Sequence, residues 1–234
     1  MAESGLCSRR KAELLILNRE ISVNGKIVSE LGIKVDPQKD EVCYKGERVS
    51  IKAGYIYMML HKPVGYISSS HDQFNRETVV DLVKSETRVY PVGRLDYDSS
   101  GLILLTNDGG LAFKLTHPKH NIKKTYLAKL DGIPAKADIE KFEHGLLIDG
   151  YKTRPAKLKI INIKDGKAEV EIKIYEGRNR QIRKMCDKIN CPVLTLKRAA
   201  IGELGLGGLQ PGKYRYLTDD EVDYLKNMPD AHKN

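Results

Sequence analysis

Between Lys167 and Tyr175 apolar and charged residues alternate, with Ala168, Val170, Ile172 and Ile174 on one side and Glu169, Glu171 and Lys173 on the other. That period of two belongs to a strand with one buried face. Ala156 to Ile163 precedes it across Asp165-Gly166, a turn pair that predicts a hairpin. Leu102 to Leu105 shows no alternation, and an unbroken apolar run suits a strand covered on both faces. Tyr55 to Leu60 is a second such run, followed by the turn residues Pro63 and Gly65. Further strands are expected over 89–92, 123–130, 193–196 and 214–217. Helices are expected over 78–84, 135–143, 178–189 and 219–228, and from a cap at Asn107 or Asp108 through Leu115.

The first 50 residues have a pattern of their own. Ser8 is placed to cap a helix with Arg9, Arg10 and Lys11 on a basic face and Leu14, Leu15 and Leu17 among its apolar positions. Two short apolar runs flank Asn24-Gly25, a strong hairpin signal, and 42–44 and 48–51 supply further short strands around Gly46. Residues 50–54 read as a linker. The chain thus divides into a small unit over 1–50 and a larger one over 55–234. Many strands and hairpins with interspersed helices indicate an α+β fold, its larger unit built on a mainly antiparallel mixed sheet flanked by helices.

Charge narrows the class of partner. Forty lysines and arginines against 31 acidic residues give a formal net charge of +9, which suits a polyanion. The excess is concentrated: 177–198 holds seven basic residues against Asp187 alone, and 114–136 holds six lysines against Asp131. Three Phe and no Trp favour reading of shape and backbone over a stacking groove, although twelve Tyr leave room for some stacking. No apolar run approaches the ~18 residues of a membrane span and no secretion leader stands at Met1, so a cytoplasmic protein is expected. Cys7, Cys43, Cys186 and Cys191 form no C-x-x-C pair and read as reduced, partly buried thiols.

One stretch concentrates the candidate chemistry. In 93–108 three acidic residues, Asp96, Asp98 and Asp108, crowd a glycine-bounded loop beside the apolar run. A carboxylate at the edge of a buried strand needs a cation or hydrogen-bond donors, from Arg94 nearby or from far along the chain. Spacing alone leaves a structural ion pair ahead of a catalytic group. Asp98 reads as a turn-bracing acceptor. His117 and His120 have metal-like spacing but no third ligand, so a loop or RNA contact is the reading preferred. The glycines at 202, 205, 207, 208 and 212 lack the strand and helix setting of a nucleotide-binding fingerprint and read as turns.

Several motifs carry a resemblance when taken together. Cys7-Ser-Arg-Arg-Lys-Ala-Glu13 with the turn at Val23-Asn-Gly-Lys26 resembles the S4 RNA-binding module, whose members ordinarily have more helix before the position of Met1, so the first helix is expected to be cut short. Gly93-Arg-Leu-Asp96, Ser99-Ser-Gly-Leu102 and Thr106-Asn-Asp-Gly109, then Lys124-x-Tyr126 and Glu176-Gly-Arg-Asn-Arg-Gln-Ile-Arg183, resemble the RsuA and RluB type of ribosomal RNA pseudouridine synthase. Lys62-Pro63-x-Gly65, Leu196-x-Arg198-x-x-Ile201-Gly202 and Gly212-x-x-Arg215-x-Leu217 also match, so the resemblance spans essentially the whole chain.

The resemblance implies that Asp96 is the catalytic aspartate, acting as nucleophile at ribose C1′ or as base at C2′ while uracil leaves through N1 and rejoins through C5. It implies that Tyr126 packs on the flipped uracil and that Arg183 pairs with Asp96 and keeps it ionised. No metal or organic cofactor is implied. Leu196 or Leu204 is expected to line the uracil pocket. Arg9, Arg10, Lys11, Lys62, Arg94, Lys123, Lys124, Arg178, Arg180 and Lys184 are the expected RNA contacts. Ribosomal RNA is the expected partner of a monomer, and the likeness to the RluB branch with the compact Asn179-Arg-Gln181 segment leans towards the large subunit. A noncatalytic ribosome-assembly factor on the same fold is the alternative, and intact Asp96, Tyr126 and Arg183 argue against it. Charge by itself would also suit a DNA-binding protein.

Overall fold

The computed structural model describes residues 1–50 and 54–229. Helix α1 (Arg9–Leu17) starts at Ser8, whose hydroxyl accepts a hydrogen bond from the Lys11 amide at 3.2 Å. It buries Ala12 and Leu15 but leaves Leu14 and Leu17 exposed, so its apolar face is narrower than expected. Strands β1 (Ile21–Val23) and β2 (Lys26–Val28) form the hairpin. Its turn residues Asn24 and Gly25 have φ of 51° and 77°, as a tight turn between twisted strands requires. Strands β3 (Val42–Tyr44) and β4 (Glu47–Arg48) complete a four-stranded antiparallel sheet, β2-β1-β3-β4. The expected linker falls largely on 51–53, outside the described residues.

The larger part runs β5 (Tyr57–Lys62), β6 (Tyr90–Val92), β7 (Ser100–Thr106), α2 (Gly109–Thr116), β8 (Lys124–Leu130) and α3 (Lys136–His144). A small hairpin follows, β9 (Leu147–Ile148) and β10 (Tyr151–Lys152), then β11 (Lys157–Lys164), β12 (Lys167–Ile174) and α4 (Gln181–Lys188). The chain continues through β13 (Val193–Ile201), β14 (Leu204–Gly205), β15 (Tyr214–Tyr216) and α5 (Asp219–Asn227). One sheet has the order β11-β12-β8-β13-β7-β5-β15, with β6 on β7 and β14 on β13. Its strands pair antiparallel except β13 with β7, where Arg198 lies opposite Gly101.

That parallel contact depends on Gly101. A Cβ there would stand 2.3 Å from the Arg198 carbonyl oxygen, and φ of +113° is one that side chains rarely tolerate. The unbroken apolar runs are explained by two cores. Met58, Leu60, Ile103 and Leu105 face one of them, with Phe142 of α3 and Met185 of α4. Met59, Leu102 and Leu104 face the other, with Leu115 of α2 and Leu225 of α5. Burial on both sides leaves no position for a polar residue in the middle of either strand.

Three expected elements differ. Residues 78–84 form turns, not a helix: the Asp81 carboxylate accepts from the Thr78 amide at 2.7 Å and from its hydroxyl at 2.9 Å. Val79, Val80 and Val83, stiff at χ1, add little to oppose that local bond. Helix α4 begins at Gln181, three residues later than expected, because Arg180 sits in the left-handed region with φ of 50°. Strand β13 continues to Ile201, well past Leu196, supported along its length by β8. Among the described residues no helix is long and apolar enough to cross a membrane.

Candidate active site

The loop 94–99 connects β6 to the parallel junction, and its main chain is fixed at every carbonyl. Arg198 Nη1 donates to Arg94 O at 3.4 Å, and the Ser68 hydroxyl donates to Leu95 O at 2.8 Å. The Gly65 amide donates to Tyr97 O at 2.9 Å, and Arg183 Nη2 donates to Asp98 O at 2.9 Å. Lys62 Nζ donates to Asp96 O at 3.0 Å, Ser99 O at 2.7 Å and Pro63 O at 3.0 Å. Backbone groups bonded at every position leave little freedom for the side chains they carry. Asp96 is half-buried, and among the described residues its carboxylate accepts no hydrogen bond and joins no ion pair.

Lys62 is therefore not an RNA contact. It is 0% exposed, and all three of its donors are used on the loop. Burial pushes its ammonium down to about 8, while the Asp96 and Asp98 charges pull the other way. It pins the segment that carries Asp96 and sets a positive charge behind it.

The expected ion pair between Arg183 and Asp96 is absent from the structure. Arg183 Nη2 lies 3.3 Å from the Asp98 carboxylate, and Arg180 Nη1 reaches the same carboxylate at 3.1 and 3.2 Å. Asp98 thus satisfies two arginines of the basic segment, a bracing role of longer reach than a local turn. Asp96 is left uncommitted because Asp98, two residues on, takes the cations instead.

Asp96, Tyr126, Arg183 and Leu196 line one cleft, where Leu95, Ile174 and Ile182 add apolar wall. Tyr126 on β8 lies opposite Arg198 of β13, and Leu196 opposite Ala128, so sheet register brings tyrosine and leucine to the same side. Leu204 packs instead in the core that contains Met59. Arg94, Arg178 and Arg180 stand at the exposed rim. A cleft with Tyr126 and Leu196 in its apolar wall, arginines at its rim and one free carboxylate is suited to holding a planar ring while the acid acts on what the ring is attached to.

The remaining expected contacts are unevenly placed. Arg9, Arg10 and Lys11 are exposed on α1. Arg178 lies over the Tyr151 ring at 3.3 Å from its centroid. Lys184 is paired with Asp149, and Lys123 with Glu203 at 2.5 Å, so these two ammonium groups already have acidic neighbours. Lys124 lines an adjoining pocket with Arg198 and Asn121. His117 and His120 pack on the Phe113 ring, with centroids 4.7 and 6.0 Å away.

Sequence reasoning missed two supports. Ser68 ties Leu95 through both its amide and carbonyl, and nothing in the Ser68-Ser-Ser70 run marked it. Glu176 accepts from the Arg154 amide, the Tyr151 hydroxyl and Gln181 Nε2, joining the β9–β10 hairpin to the start of α4. Its place in the Glu176–Arg183 motif was the available signal.

Comparison with known proteins bears on this geometry. Residues 56–188 match the RNA pseudouridylate synthase family, and residues 1–42 match the S4 domain. The chain is 45% identical to ribosomal large subunit pseudouridine synthase B of Bacillus subtilis, over all of this chain and 96% of that one. It is 36% identical to the dual-specificity RNA pseudouridine synthase RluF of Escherichia coli, across 97% of this chain and 77% of that one. A crystal structure of a pseudouridylate synthase superposes with a TM-score of 0.70 at 31% identity, covering 96% of both chains. The chain belongs to the RNA pseudouridylate synthase family.

Proposed function

We propose that this enzyme isomerises a uridine of large-subunit ribosomal RNA to pseudouridine, with Asp96 as the catalytic aspartate. The observation that carries the assignment is the uncommitted Asp96 carboxylate on a rigid loop, at the edge of a cleft walled by Tyr126 and Leu196. In the reaction the bond from N1 to C1′ breaks, a bond from C5 to C1′ forms, and the C5 proton is replaced by one gained at N1. The balance requires no oxidant or reductant. Asp96 works either on C1′ as nucleophile or on C2′ as base, and both routes use the same free carboxylate. Tyr126 packs on the uracil and lies near its C5 proton. Arg183 holds the Asp98 side of the loop.

Extracting a uridine from folded RNA costs a few kcal/mol, which phosphate contacts offset. Arg94, Arg178 and Arg180 at the cleft rim, with Arg9, Arg10 and Lys11 on α1, are the proposed contacts. Residues 1–50 would serve RNA capture and 55–234 the chemistry, in a monomer acting in the cytoplasm. The large subunit is supported by the relative from Bacillus subtilis named for it. Profiling pseudouridine in ribosomal RNA from cells with and without the gene tests the assignment. One large-subunit uridine should lose its modification, and unchanged ribosomal RNA would overturn it.

A further inference from the structure

Beside the Asp96 cleft, sharing Arg94, Tyr126 and Gly177 with it, is a second pocket whose polar atoms are underused. Arg198 is 3% exposed; its Nε donates to Leu102 O at 2.7 Å and its Nη1 to Arg94 O, but its buried Nη2 has no hydrogen-bond partner among the described residues. Asn121 is also 3% exposed, and its buried Oδ1 has no partner among the described residues. Lys124 Nζ donates to Ile122 O at 3.0 Å, leaving donors in reserve. Buried polar groups are ordinarily satisfied, so two orphans in one pocket call for a ligand that supplies both an acceptor and a donor.

The charges point the same way. Glu176 is the acid that lines this pocket, and its oxygens are engaged by Arg154, Tyr151 and Gln181. Burial, and then the charge of Arg198, lowers the Lys124 ammonium to about 8, which an entering anion would relieve. His117 at the rim accepts from the Lys119 amide at 3.2 Å and packs on Phe113. Two largely buried cations thus line one pocket, and no carboxylate among the described residues is committed to them.

We propose that this pocket is a phosphate subsite for the RNA strand adjoining the flipped uridine: Lys124 and Arg198 take the nonbridging oxygens, and Asn121 Oδ1 accepts from a 2′-hydroxyl. The identity of the strand rests on the pseudouridine synthase reading. The shared Tyr126 places the subsite next to the uracil slot, and the 2′-hydroxyl supplies the donor that Asn121 lacks.

The test is binding of the folded protein to a large-subunit ribosomal RNA transcript across a salt series, for Lys124→Met, Asn121→Asp and the double variant. Lys124→Met should reduce the slope of log affinity against log salt by about 0.7–0.9, the loss of one phosphate contact. Asn121→Asp, which adds a negative charge in the same pocket as Lys124 and Arg198 and so competes with the phosphate for them, should weaken binding by about ten-fold or more. Because the new carboxylate acts through the Lys124 charge that receives the phosphate, the double variant should be weakened by less than the product of the single effects. In tritium-release kinetics the losses should fall on KM more than on kcat. Parental affinity and slope in both folded single variants, or fully multiplicative losses in the double variant, would overturn the subsite. A parent that binds but does not isomerise uridine would instead count against the reading of the neighbouring cleft, and the salt slopes would still decide the subsite.

Discussion

Arg183 and Asp98 are joined twice: Nη2 of the arginine is 3.3 Å from the carboxylate and 2.9 Å from the main-chain oxygen of the same residue. The pair neutralises a buried guanidinium and fixes the loop two residues beyond Asp96. Arg180 adds a second cation to the same carboxylate at 3.1 Å. With both arginines engaged, the Asp96 carboxylate stays open to the cleft.

Replacing Asp98 should therefore damage positioning and spare the chemistry. Asp98→Asn retains the main-chain contact and should lower kcat/KM for tritium release by about ten-fold, some 1.4 kcal/mol. Arg183→Lys keeps the charge but loses the fork that reaches Asp98, Ser99 and Val193 together, and should cost about a hundred-fold. Initial rates on purified variants, with thermal unfolding to confirm folding, compare the two.

Lys62→Met removes the buried donor from three loop carbonyls and should destabilise the fold by about 3–5 kcal/mol in denaturant titration. The same lysine gives stability a pH dependence of definite sign. It titrates near 10.5 when unfolded and at about 8 in the fold, so across that window unfolding takes up a proton. The contribution of this group to stability rises with pH between those values and is flat below about 8. Unfolding free energies of the parent and Lys62→Met should diverge across that range, the parent gaining.

Gly101→Ala should break the parallel junction. The added carbon would meet the Arg198 carbonyl at 2.3 Å on a backbone with φ of +113°, and neither strand can move without opening a core. A loss of at least ~3 kcal/mol in denaturant titration, together with loss of activity, is expected.

Leu196 and Leu204 are equally buried, at 7% and 6%, but differ in place. Leu204→Ala should cost about 2–5 kcal/mol of stability with the rate per folded molecule kept. Leu196→Ala should instead raise KM or lower kcat in tritium release, because its side chain walls the cleft.

What could be read from the chain was what is local in it. The alternation 167–175 and the run 102–105 announce their strands, because burial on one or both faces dictates each pattern directly. The segment 78–84 could not be read as turns, since its apolar spacing says nothing of the Thr78–Asp81 bonds that compete with a helix. In the site, motif wording brought Asp96, Tyr126 and Arg183 together, and the cleft does contain all three. The choice of Asp98 over Asp96 as the partner of Arg183 depends on a difference of two positions in a folded loop. Spacing does not encode it, and neither does it show that Lys62 is enclosed by carbonyls 34 and 37 residues away.

Whether Asp96 performs the isomerisation is decided by tritium release from ribosomal RNA labelled at uridine C5. The parent should release tritium in proportion to the pseudouridine formed, whereas Asp96→Asn should bind the same RNA with parental affinity and release none above background. Release by Asp96→Asn at the parental rate would contradict the account.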